Sequence, residues 1–281
     1  MSSKPLVQKS LSATLVHGIL ICYSILALWP IFLVLINSFK SRKGIFNDPM
    51  ALPSAETFST IGFDKVLGRS NFDVYFFNSI TVTVLTLGIT LLIGAMAAWA
   101  LAGYKYKLNT LLAFYLAIGI MVPIRLGTVS ILKLVVAMGL MNTLTALVLV
   151  YIAMSLPLTI FILNEFMQQI PADLKEAARC DGVSEYRIFF QIILPLTKPA
   201  IATVGVFTMV PVWNDLWFPL ILTADDSVRT VTLGVQQFVG QYVTDWNSVL
   251  ASLSLAIVPV FILYIIFSRQ LIRGITAGAV K

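Results

Sequence analysis

Charged side chains are scarce in this chain. Only 11% of its 281 residues are Asp, Glu, Lys or Arg, whereas 58% are hydrophobic, and the mean hydropathy is +0.92. A soluble domain has about 25% charged and about 45–50% apolar residues. A soluble core of this size could not cover so much apolar surface. The composition therefore excludes a conventional soluble enzyme and a disordered chain, and predicts an integral membrane protein.

Residues that carry catalytic or metal chemistry are also rare. The single histidine, His17, excludes a His-paired nucleophile and a cluster of metal ligands, so we expect no catalytic residue and no metal site. The two cysteines, Cys22 in an apolar run and Cys180 in a polar loop, predict no disulfide. The sequence contains no Gly-Lys dipeptide and hence no Walker A phosphate loop, so we expect no cofactor and no bound ATP in this chain.

Long apolar runs dominate instead. Several approach the ~20 residues that a helix needs to cross the hydrocarbon core of a bilayer. A shorter apolar stretch over 126–140, which contains Lys133, predicts an amphipathic helix at the membrane interface. The fold expected is all-α, with six transmembrane helices. They are Thr14–Ile36, Asn78–Ala102, Leu108–Ile124, Thr143–Phe166, Ala200–Leu222 and Val249–Ser268.

The loop charges predict the topology. An even number of spans places both termini on one side, and that side carries more Lys and Arg, which favours cytoplasmic termini. We therefore attribute the net charge of +6 to membrane topology and lipid contact rather than to nucleic-acid binding. We interpret the first apolar run as a retained helix, because it lacks a clean cleavage site; a cleaved signal peptide is the alternative.

The polar loop over 168–199 predicts two short helices joined at a glycine. Pro171 and Asp173 suit a first helical turn, and Gly182 can take the left-handed conformation that ends a helix. Ser184 offers a new N-cap, and Pro195 is expected to stop the second helix. Spacing alone leaves two interpretations open: a plug that another protein binds, or an ordinary helical loop on the membrane.

The first of these helices has one face with small side chains. Leu174, Ala177 and Ala178 share it by their spacing, which permits close approach by another protein surface. Glu176 offers an acceptor for an arginine or for backbone donors.

This loop resembles the EAA loop of binding-protein-dependent ABC transporter permeases. That pattern is EAA, three residues, Gly, nine residues and then I-x-L-P. The chain has Glu176-Ala177-Ala178, then Gly182, then Ile192, Leu194 and Pro195, all at the matching spacing. Further stretches resemble sugar permeases, in particular the six-span inner-membrane permease of the maltose-transporter family. They are Asn78-Ser79, Met121-Val122-Pro123, Trp213-Asn214-Asp215 with Leu216-Trp217-Phe218-Pro219, and the tail from Arg273 to Lys281.

The resemblance implies a domain organisation. A cytoplasmic N-terminus would cover 1–13, the first transmembrane helix 14–36 and an external loop 37–72. A type-1 ABC transmembrane domain of five helices would cover 73–268, including the EAA loop, and a cytoplasmic tail 269–281. The fold implied is that of type I ABC importer permeases.

The resemblance also implies partners and a role. The chain would be a permease subunit of an ATP-driven carbohydrate importer in the bacterial inner membrane, contacting membrane lipid and no nucleic acid. A second homologous permease would complete the path, an extracytoplasmic solute-binding protein would deliver solute, and two ATPase subunits would bind ATP-Mg. The residues implied to couple this chain to an ATPase subunit are Glu176, Ala177, Ala178, Asp181, Gly182, Leu194 and Pro195.

Four residues are candidates for the translocation path: Trp213, Asn214, Asp215 and Arg125. Arg125 could line the path or meet a partner, or its side chain could snorkel to the external interface. Asp215, bracketed by prolines, could touch solute or satisfy backbone groups that the prolines open. Trp217 and Phe218 could stack on sugar rings or pack against the partner permease.

Two other classes of function compete with this interpretation. A secondary carrier or channel would use intramembrane charges for ion coupling, and these are sparse, with no sign of inverted repeats. An intramembrane enzyme would need paired catalytic groups at bilayer depth, and the sequence has no such pair.

Overall fold

The computed structural model describes residues 6–104, 106–240 and 242–279, without the side chains at 6–13, 69, 263 and 266–279. Residues 1–5 and 280–281 of the predicted terminal segments lie outside it. The described chain is helical, with isolated bridges at Lys40–Phe58 and Val239–Thr244 as its β pairings, which confirms the all-α prediction. The longer helices are α1 (Leu6–Ser38), α4 (Phe72–Gly103), α5 (Asn109–Met121), α6 (Thr128–Ala137), α7 (Leu144–Gln168), α11 (Lys198–Asn214) and α14 (Trp246–Ala279). The shorter ones are α2 (Arg42–Asn47), α3 (Ile61–Arg69), α8 (Ala172–Cys180), α9 (Glu185–Arg187), α10 (Leu194–Leu196), α12 (Trp217–Leu222) and α13 (Val231–Gln236).

Three described helices are each long and apolar enough to cross a membrane: Thr14–Ser38, Phe72–Gly103 and Leu144–Gln168. Two bent pairs bring the number to as many as five, and Trp246–Ile262 is a shorter apolar helix. These segments are compatible with six crossings. The predicted external loop over 37–72 contains α2 and α3.

The predicted third span is helical but ends three residues early, at Met121, whereas the predicted fifth span is wrong as a continuous helix. The third helix has 13 residues, Asn109–Met121, and the chain bends by 86° before the stretch Ile124–Ala137. Pro123 lies at this bend, and a residue before proline is disfavoured in helical conformation. The predicted fifth span is divided between α11 and α12.

The chain divides into two compact units, of which one comprises Met1–Ser70 with Val235–Ile257. Within it, the Asn247 amide donates to the carbonyl of Lys40 at 2.7 Å, and the almost fully buried Lys40 ammonium donates to the carbonyl of Asp48 at 2.9 Å. Lys65 forms an ion pair with Asp245 at 2.7 Å. These contacts hold the segment after α1 against the start of α14.

The other unit comprises Asn71–Gly234 with Val258–Lys281 and is built on the packing of α4 along α7. One apolar cluster joins the last turns of these helices to the loop over 168–199, around Trp99, Leu163 and Ile188. A second cluster surrounds Tyr151 and Phe218, where α7 meets α12. The two clusters support the two candidate sites described below.

Helix α4 approaches α7 closely at Gly94, which predicts that a larger side chain at this position is not tolerated. A methyl group at this position would overlap the Thr159 methyl on α7. We expect Gly94→Ala to cost about 1–3 kcal/mol of stability, since overpacking a closed interface forces its helices apart. Thermal unfolding of the purified protein measures this loss. In a Thr159→Ala background the same change should cost much less, and an equal loss in both backgrounds would contradict the assigned contact.

Candidate functional site

The helix that carries the EAA residues follows α7 after a three-residue connection. Pro171 occupies the N-cap position of α8, one residue before the predicted first turn, and Asp173 lies in that turn. Its carboxylate is placed where the helix dipole favours negative charge, and Arg179 lies in the last turn, where positive charge is favoured. Local sequence chemistry therefore accounts for both ends of α8.

Gly182 ends α8 in the left-handed conformation that the sequence predicts, with φ of +73°. The N–H of Val183 donates to the carbonyl of Ala178, and the N–H of Gly182 to that of Arg179, each at 3.0 Å. This pair of bonds is a Schellman motif, which satisfies carbonyls that the helix end leaves open. The turn directs the chain into the second short helix.

The predicted small-residue face of α8 divides between the interior and the surface. Ala178 is 7% exposed and packs in the apolar cluster with Leu163 and Ile188, so it faces its own subunit, and its coupling role stays a prediction. Leu174, Glu176 and Ala177 are exposed, as are Asp181 and Gly182. Ala178 therefore attaches α8 to its own subunit, and the opposite side of the helix is accessible.

The second helix ends at Leu196, one residue after the predicted stop at Pro195. The chain remains helical from Glu185 to Leu196, through a π-helical turn at Ile188–Ile193, and bends by 75° before α11. Pro199 explains the bend, because its ring crowds the carbonyl four residues earlier. Leu194 packs partly against the apolar cluster, whereas Pro195 is exposed.

Three polar groups that the sequence did not single out meet behind α8. The Glu185 carboxylate accepts from Arg179 Nε at 2.7 Å, from Arg179 Nη2 at 3.3 Å and from the Tyr104 hydroxyl at 2.8 Å. The guanidinium of Arg179 also lies 5.9 Å from the centroid of the Tyr104 ring. Burial and the hydrogen bond to Glu185 raise the pKa of Tyr104, and the bond to Glu185 raises the pKa of Arg179. We name this group the Glu185 clamp.

A second candidate site is the break between α11 and α12. In a continuous helix the Asp215 carbonyl would accept from the N–H of residue 219, but Pro219 has none and its ring crowds that carbonyl. The carbonyl accepts instead from the Thr232 hydroxyl at 2.6 Å. Pro219 therefore opens the helix at Asp215, and Thr232 satisfies the freed acceptor.

The side chain of Asp215 satisfies the other end of this break. Its carboxylate accepts from the Tyr151 hydroxyl at 2.8 Å and from the N–H groups of Trp217 and Phe218 at 3.3 and 3.0 Å. Both carboxylate oxygens are therefore engaged by the chain itself. This is the backbone-satisfying arrangement, one of the two alternatives that the sequence left open.

The other path candidates surround the same break in different environments. Trp213 is 4% exposed and packs edge-on against Phe76, with ring centroids 5.9 Å apart, so it belongs to the interior of this unit. Asn214 is exposed, and its amide donates to the carbonyl of Val210 at 2.9 Å.

Arg125 reaches this break from the bend after α5. Its guanidinium lies 5.8 Å from the centroid of the Trp217 ring, and the indole N–H of Trp217 donates to the Thr128 hydroxyl at 3.0 Å. Among the described residues Arg125 has no carboxylate within ion-pair distance. The bend after α5 thus places an exposed cation beside the exposed indole that begins α12.

Asp226 is a further polar centre that the sequence did not indicate. Its carboxylate accepts from the Tyr75 hydroxyl, from the Asn71 amide and, at 2.9 Å, from Arg229. The hydrogen bonds from Tyr75 and Asn71 lower the pKa of this carboxyl. These contacts fasten the segment after α12 to the start of α4.

Among the described residues, no group of three or more His, Cys, Asp or Glu side chains is placed to hold a metal ion.

Comparison with known proteins relates the whole chain to transport permeases. A family model described as "Binding-protein-dependent transport system inner membrane component" matches residues 90–277. A putative ABC transporter permease protein of Caldicellulosiruptor is 36% identical over 263 residues, covering 91% of this chain and 94% of the relative. The diacetylchitobiose uptake system permease protein NgcG of Streptomyces coelicolor is 31% identical, covering 96% and 89%.

A solved structure has the same fold. It is the crystal structure of a bacterial ABC transporter involved in the import of the acidic polysaccharide alginate, with a TM-score of 0.78, 20% identity and coverage of 96% of this chain and 99% of that chain. Together with the exposed EAA helix and the apolar spans, these matches assign the fold of ABC importer permeases. The chain belongs to the family of binding-protein-dependent transport system inner membrane components, the permeases of ABC importers.

Proposed function

We propose that this chain is a permease subunit of an ATP-driven carbohydrate importer and that α8 couples it to an ATPase subunit. The observation that carries the proposal is the orientation of α8. Ala178 attaches the helix to the apolar cluster, whereas Glu176 and Ala177 project from the surface. A helix attached on one side and accessible on the other is suited to receive a partner and to pass its movement to the spans.

The remaining parts of the assembly follow from the family. A second, homologous permease completes the path, two ATPase subunits bind and hydrolyse ATP-Mg, and an extracytoplasmic binding protein delivers solute. We propose six crossings of the bacterial inner membrane with both termini in the cytoplasm, as the Lys and Arg distribution favours. The chain itself is then a transport subunit rather than an enzyme.

A carbohydrate is the proposed solute class. The name of the Streptomyces relative refers to uptake of diacetylchitobiose, and the stretch Trp213-Asn214-Asp215 resembles that of sugar permeases. The helix break at Asp215 supports a path role for this region, because transporters place solute sites at discontinuous helices. Arg125, Asn214 and Trp217 are exposed side chains of this region that can donate hydrogen bonds.

ATP-driven uptake into reconstituted vesicles tests the coupling role. We expect uptake to require the ATPase subunits and to fall about 10- to 100-fold in Glu176→Gln, because a hydrogen bond to a charged group contributes about 1.5–3 kcal/mol. The matched control is Glu165→Gln, since Glu165 is also exposed but lies on α7, and its uptake should not change. Uptake without ATPase subunits would contradict the proposal and favour a secondary carrier or channel.

A further inference from the structure

The Glu185 clamp joins three separate pieces of chain. Arg179 is in the last turn of α8, Glu185 begins the helix after the Gly182 turn, and Tyr104 directly follows the end of α4. Two N–H groups of Arg179 and the hydroxyl of Tyr104 donate to the Glu185 carboxylate, at 2.7–3.3 Å. A carboxylate held by a guanidinium fork and a hydroxyl is fixed in direction as well as position.

We propose that the Glu185 clamp transmits the movement of α8 to α4, so that Tyr104, Arg179 and Glu185 are positioning residues for transport coupling. The inference rests on the proposed role of α8. The chain connects α8 covalently to α7, which precedes it. The clamp adds a second connection, from α8 to the neighbouring helix α4.

The geometry of α8 explains why a second connection matters. The Gly182 turn has open space around it, since nothing lies within 4 Å of a Cβ built there. Ala178, one small side chain, is the buried residue of α8, and the flanking Ile170 and Val183 are partly buried against the same cluster. These apolar contacts have no fixed direction, so with them alone α8 could roll about its axis when a partner pushes on Glu176. Arg179, the adjacent residue, prevents this roll by holding Glu185 and, through it, Tyr104.

A purely stabilising role accounts less well for the same contacts. The Arg179 and Glu185 side chains are 39% and 41% exposed, and ion pairs this accessible contribute little to stability. Tyr104 adds a hydrogen bond and a ring beneath the guanidinium, which restrict orientation. Since α4 and α7 pack along each other, a push on α8 that reaches both moves them together.

The test measures solute transported per ATP hydrolysed in vesicles that contain the full complex. We expect Glu185→Ala and Tyr104→Phe each to lower this ratio, Glu185→Ala by at least about fivefold, as coupling free energies between sites imply. Tyr104→Phe should have no further effect in the Glu185→Ala background, because the acceptor of its hydroxyl is already gone. Tyr115→Phe, on an exposed tyrosine of α5, is the matched control and should leave the ratio unchanged.

Assembly and stability are measured on the same samples, as subunit stoichiometry and thermal unfolding. Variants that lower the melting temperature or the amount of complex but leave solute per ATP unchanged would show that the clamp only stabilises the loop. Additive losses in the double variant would also overturn the proposal. Failure of the underlying coupling role is recognised separately, since Glu176→Gln would then transport normally.

Discussion

Gly182→Pro should abolish ATP-driven uptake. Proline fixes φ near −65°, whereas Gly182 has φ of +73°, so the turn that closes α8 cannot form around it. The change also removes the N–H that donates to the carbonyl of Arg179 at 3.0 Å. We expect proline to destabilise this turn, which joins two short helices, by about 3 kcal/mol or more. We expect α8 to lose its orientation and uptake in reconstituted vesicles to fall below detection.

Gly182→Asn is the matched control, because asparagine adopts the left-handed conformation with little strain. Space is not limiting, since a Cβ at this position has no atom within 4 Å. We expect this variant to retain most uptake and Gly182→Ala, with a strain of about 1–2 kcal/mol, to fall between the two. If proline, alanine and asparagine reduced uptake equally, the loss would come from a side chain in a partner interface, and the conformational explanation would be wrong.

Features set by short stretches of chain were predictable from the sequence. The all-α membrane fold followed from composition and apolar run length, and the glycine turn followed from residues within a few positions of Gly182. Helix caps and left-handed turns depend on local backbone chemistry, so their residues are adjacent in the sequence. The EAA spacing was recognisable for the same reason.

Features that depend on tertiary contacts were not predictable. The side of α8 that Ala178 occupies is decided by Leu163 and Ile188, which lie on other elements. The clamp joins Tyr104 to Glu185 across 81 positions, and the Asp215 carboxylate meets Tyr151 across 64. Pro219 marks the helix break at Asp215 in the sequence. The hydropathy pattern does not show the break, because the segments before and after it are both apolar and together resemble one continuous span.

Asp215→Ala should destabilise the permease more than any other change at the break. It leaves the Tyr151 hydroxyl and the N–H groups of Trp217 and Phe218 without their acceptor. An unsatisfied buried donor costs about 1–3 kcal/mol, and Tyr151 is 2% exposed, so we expect a loss of roughly 2–4 kcal/mol in the free energy of unfolding. Thermal unfolding of the purified permease measures it. Asp215→Asn, which keeps one acceptor oxygen, should lose about half as much.

Variants of Asp215 also distinguish a backbone-capping role of this residue from direct contact with solute. If Asp215 caps the break, the losses of stability in Asp215→Ala and Tyr151→Phe are not additive, because each removes the hydrogen bond between Tyr151 and residue 215. Uptake then follows the amount of folded permease, with an unchanged solute concentration at half-maximal rate. Direct solute contact requires the opposite: an intact melting temperature and a raised half-maximal concentration in Asp215→Asn. We expect the first result, because the carboxylate already accepts three hydrogen bonds from the protein, those of Tyr151, Trp217 and Phe218.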